Sequence, residues 1–220
     1  MHVEDFYFFK KEAKKMKKFL LCSLLFLLMQ ILIIPNVLAK QANYEADKDA
    51  LLNSGLHMGE NQLDLYWFEK GEKLFEIAEF EKAIDAYTKA LAINENYTDA
   101  YFKRAEANLE LKNYELAKED YSHTLETRST YLEAYFKRAV CSYYLKEYQN
   151  AIDDSSVVIT LNPEHGGSYL IKAVCQQRLN QPDDAIITYQ TLLKQVPKNQ
   201  KQIIQTAKDM LKRLGIEPEK

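Results

Sequence analysis

Residues 99–105 read DAYFKRA, and residues 133–139 read EAYFKRA. Sliding the chain on itself by this 34-residue step aligns far more than the phrase. One column reads Trp67, Tyr101, Tyr135, Tyr169, and four residues on another reads Gly71, Ala105, Ala139, Ala173. Further columns read Ala83, Ala117, Ala151, Ala185, then Tyr87, Tyr121, Ser155, Tyr189, then Leu91, Leu125, Ile159, Leu193. Four copies cover residues 64–199 without a gap. A fixed period of this length restricts a chain to an array: each unit is too small to bury its own apolar face, and stacking the units builds one continuous core.

Each unit reads as two helices. The large aromatic and the small residue lie four apart, which places them on one helix face, and Ala117, Tyr121 and Leu125 step by four in the same way. Short polar breaks at Lys112-Asn113, Lys146-Glu147 and Asn180-Gln181 divide the halves. Pro182 follows the last break, at a first-turn position where a missing N–H costs little. Six Gly and five Pro in 220 residues is sparse punctuation, as long helices require. The small columns let paired helices approach closely, and a larger residue there would overpack.

These columns resemble the tetratricopeptide repeat (TPR) family, whose motif places large aromatics at positions 4, 17 and 24, small residues at 8, 20 and 27, and proline at 32. Repeat one supplies Trp67, Gly71, Phe80, Ala83, Tyr87 and Ala90, and repeat two supplies Tyr101, Ala105, Tyr114, Ala117 and Tyr121. Repeat three supplies Tyr135, Ala139, Tyr148, Ala151 and Pro163, with Ser155 in place of an aromatic. Repeat four supplies Tyr169, Ala173, Ala185, Tyr189 and Pro197, and departs at Pro182 and Leu192. The resemblance implies an all-α fold, a right-handed α-solenoid of four helix pairs at 64–97, 98–131, 132–165 and 166–199. Residues 200–214 read as a capping helix, with an apolar stripe of Ile203, Ala207, Met210, Leu211 and Leu214 and a stop at Gly215. Residues 40–63 fall outside the repeat and read as a linker or N-cap segment.

The N-terminus is different material. Lys10, Lys11, Lys14, Lys15, Lys17 and Lys18 precede FLLCSLLFLLMQILII at 19–34, and Pro35 and then Val37-Leu38-Ala39 follow. This is the basic, apolar and cleavage-site order of a secretory signal at 1–39, with Met16 as an alternative start. The apolar run is short for a spanning helix, which takes about 20 residues. Cleaved or retained as an anchor, the segment would translocate residues 40–220, placing the domain in the periplasm of a bacterium or the secretory pathway of a eukaryote. No other membrane association is expected.

Without residues 1–39, 23 Lys and Arg face 29 Asp and Glu, a net charge of −6, which argues against a nucleic-acid binder. Residues 40–100 hold 6 basic and 13 acidic side chains and residues 194–220 hold 7 and 3, so the two ends differ in potential. No catalytic or metal-binding constellation is evident. The histidines lack ligand spacing, and the acidic residues fall at outward helical positions. An enzyme is not expected, nor any cofactor. Gly166-Gly167-Ser168 reads as a segment that loosens the start of repeat four. Cys141 and Cys175 share a column of adjacent repeats, where helix spacing of about 8–10 Å exceeds disulfide reach, so they read as buried free thiols.

Function is expected on the face of the first helices. The TPR resemblance implies a concave groove lined by positions 2, 5, 9, 12 and 13. Here those positions supply Phe68, Glu72, Phe75, Phe102, Glu106, Leu109, Phe136, Val140, Tyr143, Tyr144, Leu170 and Val174, with Arg178 at the far edge. This pattern implies a protein or peptide partner with basic residues at one end and apolar residues at the other. The chaperone-tail version of the family uses Lys, Asn and Arg at positions 2, 5, 6 and 9; here positions 5 and 9 are apolar or acidic and only Lys103 and Lys137, at position 6, match, so that ligand is not carried over. The alternative is a purely structural subunit that self-associates through its convex face or termini.

Overall fold

The computed structural model describes residues 62–217, so the signal segment and most of the 40–63 segment lie outside the described residues. The described residues form nine helices and no strand. They are α1 (Leu63–Glu76), α2 (Phe80–Ile93), α3 (Thr98–Glu110), α4 (Tyr114–Thr127), α5 (Leu132–Tyr144), α6 (Tyr148–Leu161), α7 (Gly166–Arg178), α8 (Pro182–Gln195) and α9 (Lys201–Arg213). The first eight make four pairs and α9 is the expected cap. Each second helix packs on its own first helix and on the first helix of the next pair. First helices also touch across pairs, α1 with α3, α5 with α7 and α7 with α9. This is an α-solenoid.

Two turns, each used over and over, set its geometry. Within a pair the turn residue is Ala78, Lys112, Lys146 or Asn180, all left-handed with φ 60–64°. The next residue donates its N–H back five positions, Glu79 to the Leu74 carbonyl, Asn113 to Asn108, Glu147 to Ser142 and Gln181 to Gln176, at 2.8–2.9 Å. This satisfies carbonyls that a helix end otherwise leaves unpaired. Between pairs the N–H of Tyr97, Tyr131 and His165 bonds the carbonyl three residues back at 3.1 Å.

The small columns are where the helices of a pair meet. Ala83, Ala105, Ala117, Ala139, Ala151, Ala173 and Ala185 are fully buried. At Gly71 the approach is tightest: a Cβ there would lie 2.5–2.9 Å from three ring atoms of Tyr87. Leu192, oversized for its column, is fully buried in a cluster with Ala207 and Leu211 of the cap.

The repeated phrase carries an ion-pair clamp. Arg104 donates from Nε and Nη2 to both carboxylate oxygens of Asp120 at 2.8 and 2.7 Å, and from Nη1 to Thr88 Oγ1 at 3.1 Å. One repeat on, Arg138 grips Asp154 at 2.8 and 2.7 Å and Ser122 Oγ at 3.1 Å. Each arginine therefore ties its own second helix to the second helix of the preceding pair, and lies over Tyr101 or Tyr135 at 5.5 Å.

Gly166 and Gly167 do not loosen repeat four. They lie inside α7, where a Cβ at Gly166 would come within 2.7 Å of Gln200 Oε1 and Ile203 Cγ2, and one at Gly167 within 3.1 Å of the Phe136 ring. Small residues are needed because the cap and the previous pair press on the start of this helix. His165 caps it, accepting from the Ser168 N–H at 3.3 Å.

Candidate functional site

The first-helix face divides into a packed part and an open part. Column five packs. Phe102 is buried, 6% exposed, stacked on Tyr131 at 4.8 Å and edge-on to Tyr121 at 5.6 Å. Phe68 meets Tyr97 at 4.9 Å with the rings tilted by 32°, and Phe136 meets His165 edge-on at 4.7 Å. The rings expected to line a groove thus pack against the residue that closes each inter-pair turn, which buries Phe102 and leaves Phe68 and Phe136 half-buried. Leu170 likewise packs on the cluster shared with the cap. Leu109 packs against the second pair's core, and Phe75 lies edge-on to Phe80 at 5.3 Å.

Glu72 and Glu106 of this face each have a lysine partner on the next first helix. Lys103 Nζ lies 3.7 Å from Glu72 and 3.2 Å from Glu106, and Lys137 lies 4.0 Å from Glu106 and 3.7 Å from Glu133. Tyr87 also donates to Glu72 at 2.8 Å. Burial disfavours the Lys103 ammonium, but the Glu106 and Glu72 carboxylates outweigh it and hold its pKa above the ordinary lysine value. The result is an alternating ladder, Glu72–Lys103–Glu106–Lys137–Glu133, rather than a bare acidic strip. A basic ligand end would compete with lysines already in place.

The open part lies where α5, α7 and α9 meet. A cavity of about 560 Å³ is lined by Tyr143, Val174, Gln177, Arg178, Asn180, Pro182, Met210, Arg213 and Leu214. Tyr143 and Val174 are the expected residues that reach it, and Arg178 reaches it too. Val140 is half-buried and lies outside this lining. Tyr144 turns away: 54% exposed, it stacks face to face on Tyr114 of α4 at 4.4 Å and 8°. Among the described residues no acidic side chain pairs with Arg178 or Arg213 within 4.0 Å, so two guanidinium groups border an apolar wall. The cap's share, Met210, Arg213 and Leu214, was not read from sequence as part of a site, because the repeat columns end at 199.

Cys141 and Cys175 are free and fully buried. Burial pushes the Cys141 thiol up to about 12 and the Cys175 thiol up to about 11, the opposite of an activated thiol. No group of His, Cys, Asp and Glu among the described residues could hold a metal ion, and no helix among them is long and apolar enough to cross a membrane.

No curated protein matches the chain. Among solved structures, the crystal structure of MamA protein aligns at 20% identity over 71% of this chain and 85% of MamA, with a TM-score of 0.64. The first TPR of Spaghetti (RPAP3), bound to the HSP90 peptide SRMEEVD, aligns at 27% identity over 57% of this chain and 99% of that domain, with a TM-score of 0.51. The Arabidopsis OM64 TPR domain aligns at 23% identity over 55% and 99%, with a TM-score of 0.51. A TPR repeat profile matches residues 71–112, and tetratricopeptide repeat profiles match 98–130, 133–165 and 168–199, together more than half of the chain. With four in-register helix pairs and these matches, the chain belongs to the tetratricopeptide repeat family.

Proposed function

We propose that this protein is an exported scaffold that holds a peptide or protein segment in the concave groove of its first helices, at the end formed by the third and fourth pairs and the cap. The observation that carries the reading is the cavity of about 560 Å³ in which Tyr143, Val174, Met210 and Leu214 meet Arg178 and Arg213. An apolar side chain buried there gains roughly 1.5–3 kcal/mol. An ionised carboxylate suits the two guanidinium groups, because their planar donor forks match its two oxygens. The preferred segment is therefore apolar with a carboxylate beside it, because Lys103 and Lys137 already stand against Glu72 and Glu106. The Spaghetti domain's peptide complex supports the idea that such an array takes a peptide segment. A chaperone tail is not proposed, because Phe68, Glu72, Phe102 and Glu106 stand where the chaperone-binding relatives use basic and amide groups. Export rests on the lysine cluster, the apolar run at 19–34 and Val37-Leu38-Ala39.

The test is to isolate the partner by pull-down and titrate it against variants. Tyr143→Ala and Arg213→Ala should each weaken binding about tenfold or more, as truncation of aromatic and arginine anchors does. Glu106→Gln should change it little. Binding that survives both truncations in a folded protein would place the partner on another surface and end the groove reading.

A further inference from the structure

The cap is built as the first helix of a fifth pair. Its entry turn closes with the Gln200 N–H on the Pro197 carbonyl at 3.0 Å, the turn used ahead of α3, α5 and α7. Helix α9 then starts 35 residues after α7, at Lys201 against Gly166. Its exit repeats the other signature: Gly215 is left-handed at φ 79°, and the Ile216 N–H bonds the Leu211 carbonyl at 3.0 Å, as Gln181 bonds Gln176. Helix α9 packs on α8 and α7 as α7 packs on α6 and α5.

In the fourth pair, Tyr169, Ala173 and Gln176 turn toward the second helix: the first two cluster with Ala185 and Tyr189, and Gln176 Oε1 accepts from Thr188 Oγ1 at 2.8 Å. Thirty-five residues on stand Ile204, Lys208 and Leu211. These three line a cavity of about 650 Å³ together with Leu193, Val196 and Ile216. The cavity thus lies on the side of α9 that every other first helix gives to its second helix. Its rim carries Lys194, Lys198, Lys201 and Lys208, with Glu217 as the acidic group of the lining. None of the four lysines lies within 4.0 Å of a carboxylate among the described residues, whereas Lys118, on the second helix of pair two, reaches Glu147 at the start of the next second helix at 2.7 Å.

We propose that this cavity docks an acidic amphipathic helix of a partner protein, lying along the side of α8 and α9 where the second helix of a fifth pair would lie. The apolar floor takes the helix's apolar stripe. The four lysines select acidic residues flanking that stripe, as Lys118 takes Glu147 within the array. The surface is separate from the groove and does not depend on it.

The probe is a fluorescent peptide of residues 114–127, YELAKEDYSHTLET, stapled as a helix across the outward positions 116 and 123. It is the array's own second helix with the most acidic balance, a net −3. Titrated with the full-length chain, it should bind saturably and weaken with added salt. Lys194→Glu with Lys208→Glu should weaken it about tenfold or more, while Tyr143→Ala, a groove variant, should leave it unchanged. A photo-cross-linker on the peptide should map to residues 190–211, which keeps the test valid if the double variant does not fold. Absence of saturable binding, equal binding of a scrambled peptide, full binding by the folded double variant, or cross-links outside residues 190–211 would each overturn the proposal.

Discussion

Two Arg–Asp pairs in this protein share chemistry and differ in surroundings, so they separate the effect of burial from that of the contact. Arg138 and Asp154 are 25% and 10% exposed as side chains, and Arg128 and Asp99 are 50% and 46% exposed, with bonds of 2.6 and 3.3 Å. Removing the buried arginine as Arg138→Met keeps most of the apolar stem and strips Asp154 of both donors. A carboxylate left unpaired at that depth costs about 3–5 kcal/mol, and the quarter exposure of Arg138 places the expectation near the lower end, about 3 kcal/mol. Removing the other partner, as Asp154→Ala, should cost less, about 2 kcal/mol, because the guanidinium keeps the Ser122 hydroxyl at 3.1 Å and turns to water more easily. Arg128→Met should cost under about 1 kcal/mol. Against a domain stability of about 5–15 kcal/mol these differences are large. Urea unfolding followed by far-ultraviolet circular dichroism reads them, and an unchanged slope would confirm that each variant unfolds from the same native state. Should Arg138→Met and Arg128→Met lose the same amount, burial is not what gives the clamp its strength and the argument fails.

Ala117→Leu and Ala151→Leu should each cost about 1–3 kcal/mol by overpacking fully buried columns, whereas Glu115→Gln should be nearly silent; urea midpoints decide it. The Cys141 and Cys175 thiols should resist a thiol reagent at pH 8 until denaturant is added. Stability should also fall in alkali. Cys141, Cys175 and Tyr189 are held by burial at about 12, 11 and 12. Their unfolded values are lower, about 8.5 for Cys and 10 for Tyr, so the unfolded chain releases protons first. The stabilisation is complete below about pH 8.5 and is lost as pH rises through those folded values; urea midpoints from pH 8 to 11 track it, and Cys141→Ala with Cys175→Ala should flatten the early part of the decline. If the proposed signal is cleaved, N-terminal sequencing of the mature protein should read from Lys40, and a start upstream of residue 35 would mean an anchored protein instead.

The repeat columns were legible because each is a packing position that accepts few residue types: a ring over Gly71, an alanine between two backbones, a leucine at the seam to the next pair. Other features need two helices in view at once. Glu72 and Lys103 are 31 residues apart, as are Glu106 and Lys137, so reading along one helix shows acids while the fold pairs them. Phe102 continues a surface stripe by spacing, yet the turn residue Tyr131 covers it. The Arg–Asp clamp left a trace, since Arg104 and Arg138 each precede an aspartate by 16 residues, but only the fold shows that this interval brings the two side chains together. Arg213 lies in a segment without a repeat column to place it, and its position in the lining of the cavity of about 560 Å³ depends on how the cap docks.

The contacts between pairs also make the units interchangeable. Thr88 accepts from Arg104 as Ser122 accepts from Arg138, both at 3.1 Å, and Tyr97 meets Phe68 at 4.9 Å as Tyr131 meets Phe102 at 4.8 Å. Excising residues 98–131 would join Tyr97 to Leu132 and offer Thr88 to Arg138 in place of Ser122, and Tyr97 would close the turn that Tyr131 closes now. The new seam would be made of parts already shaped for each other. Such a chain should fold as a three-pair array, with its C-terminal cavities carried one step closer to its N-terminus. The length of this protein can therefore change by this one unit without redesign of the surface between the pairs it separates.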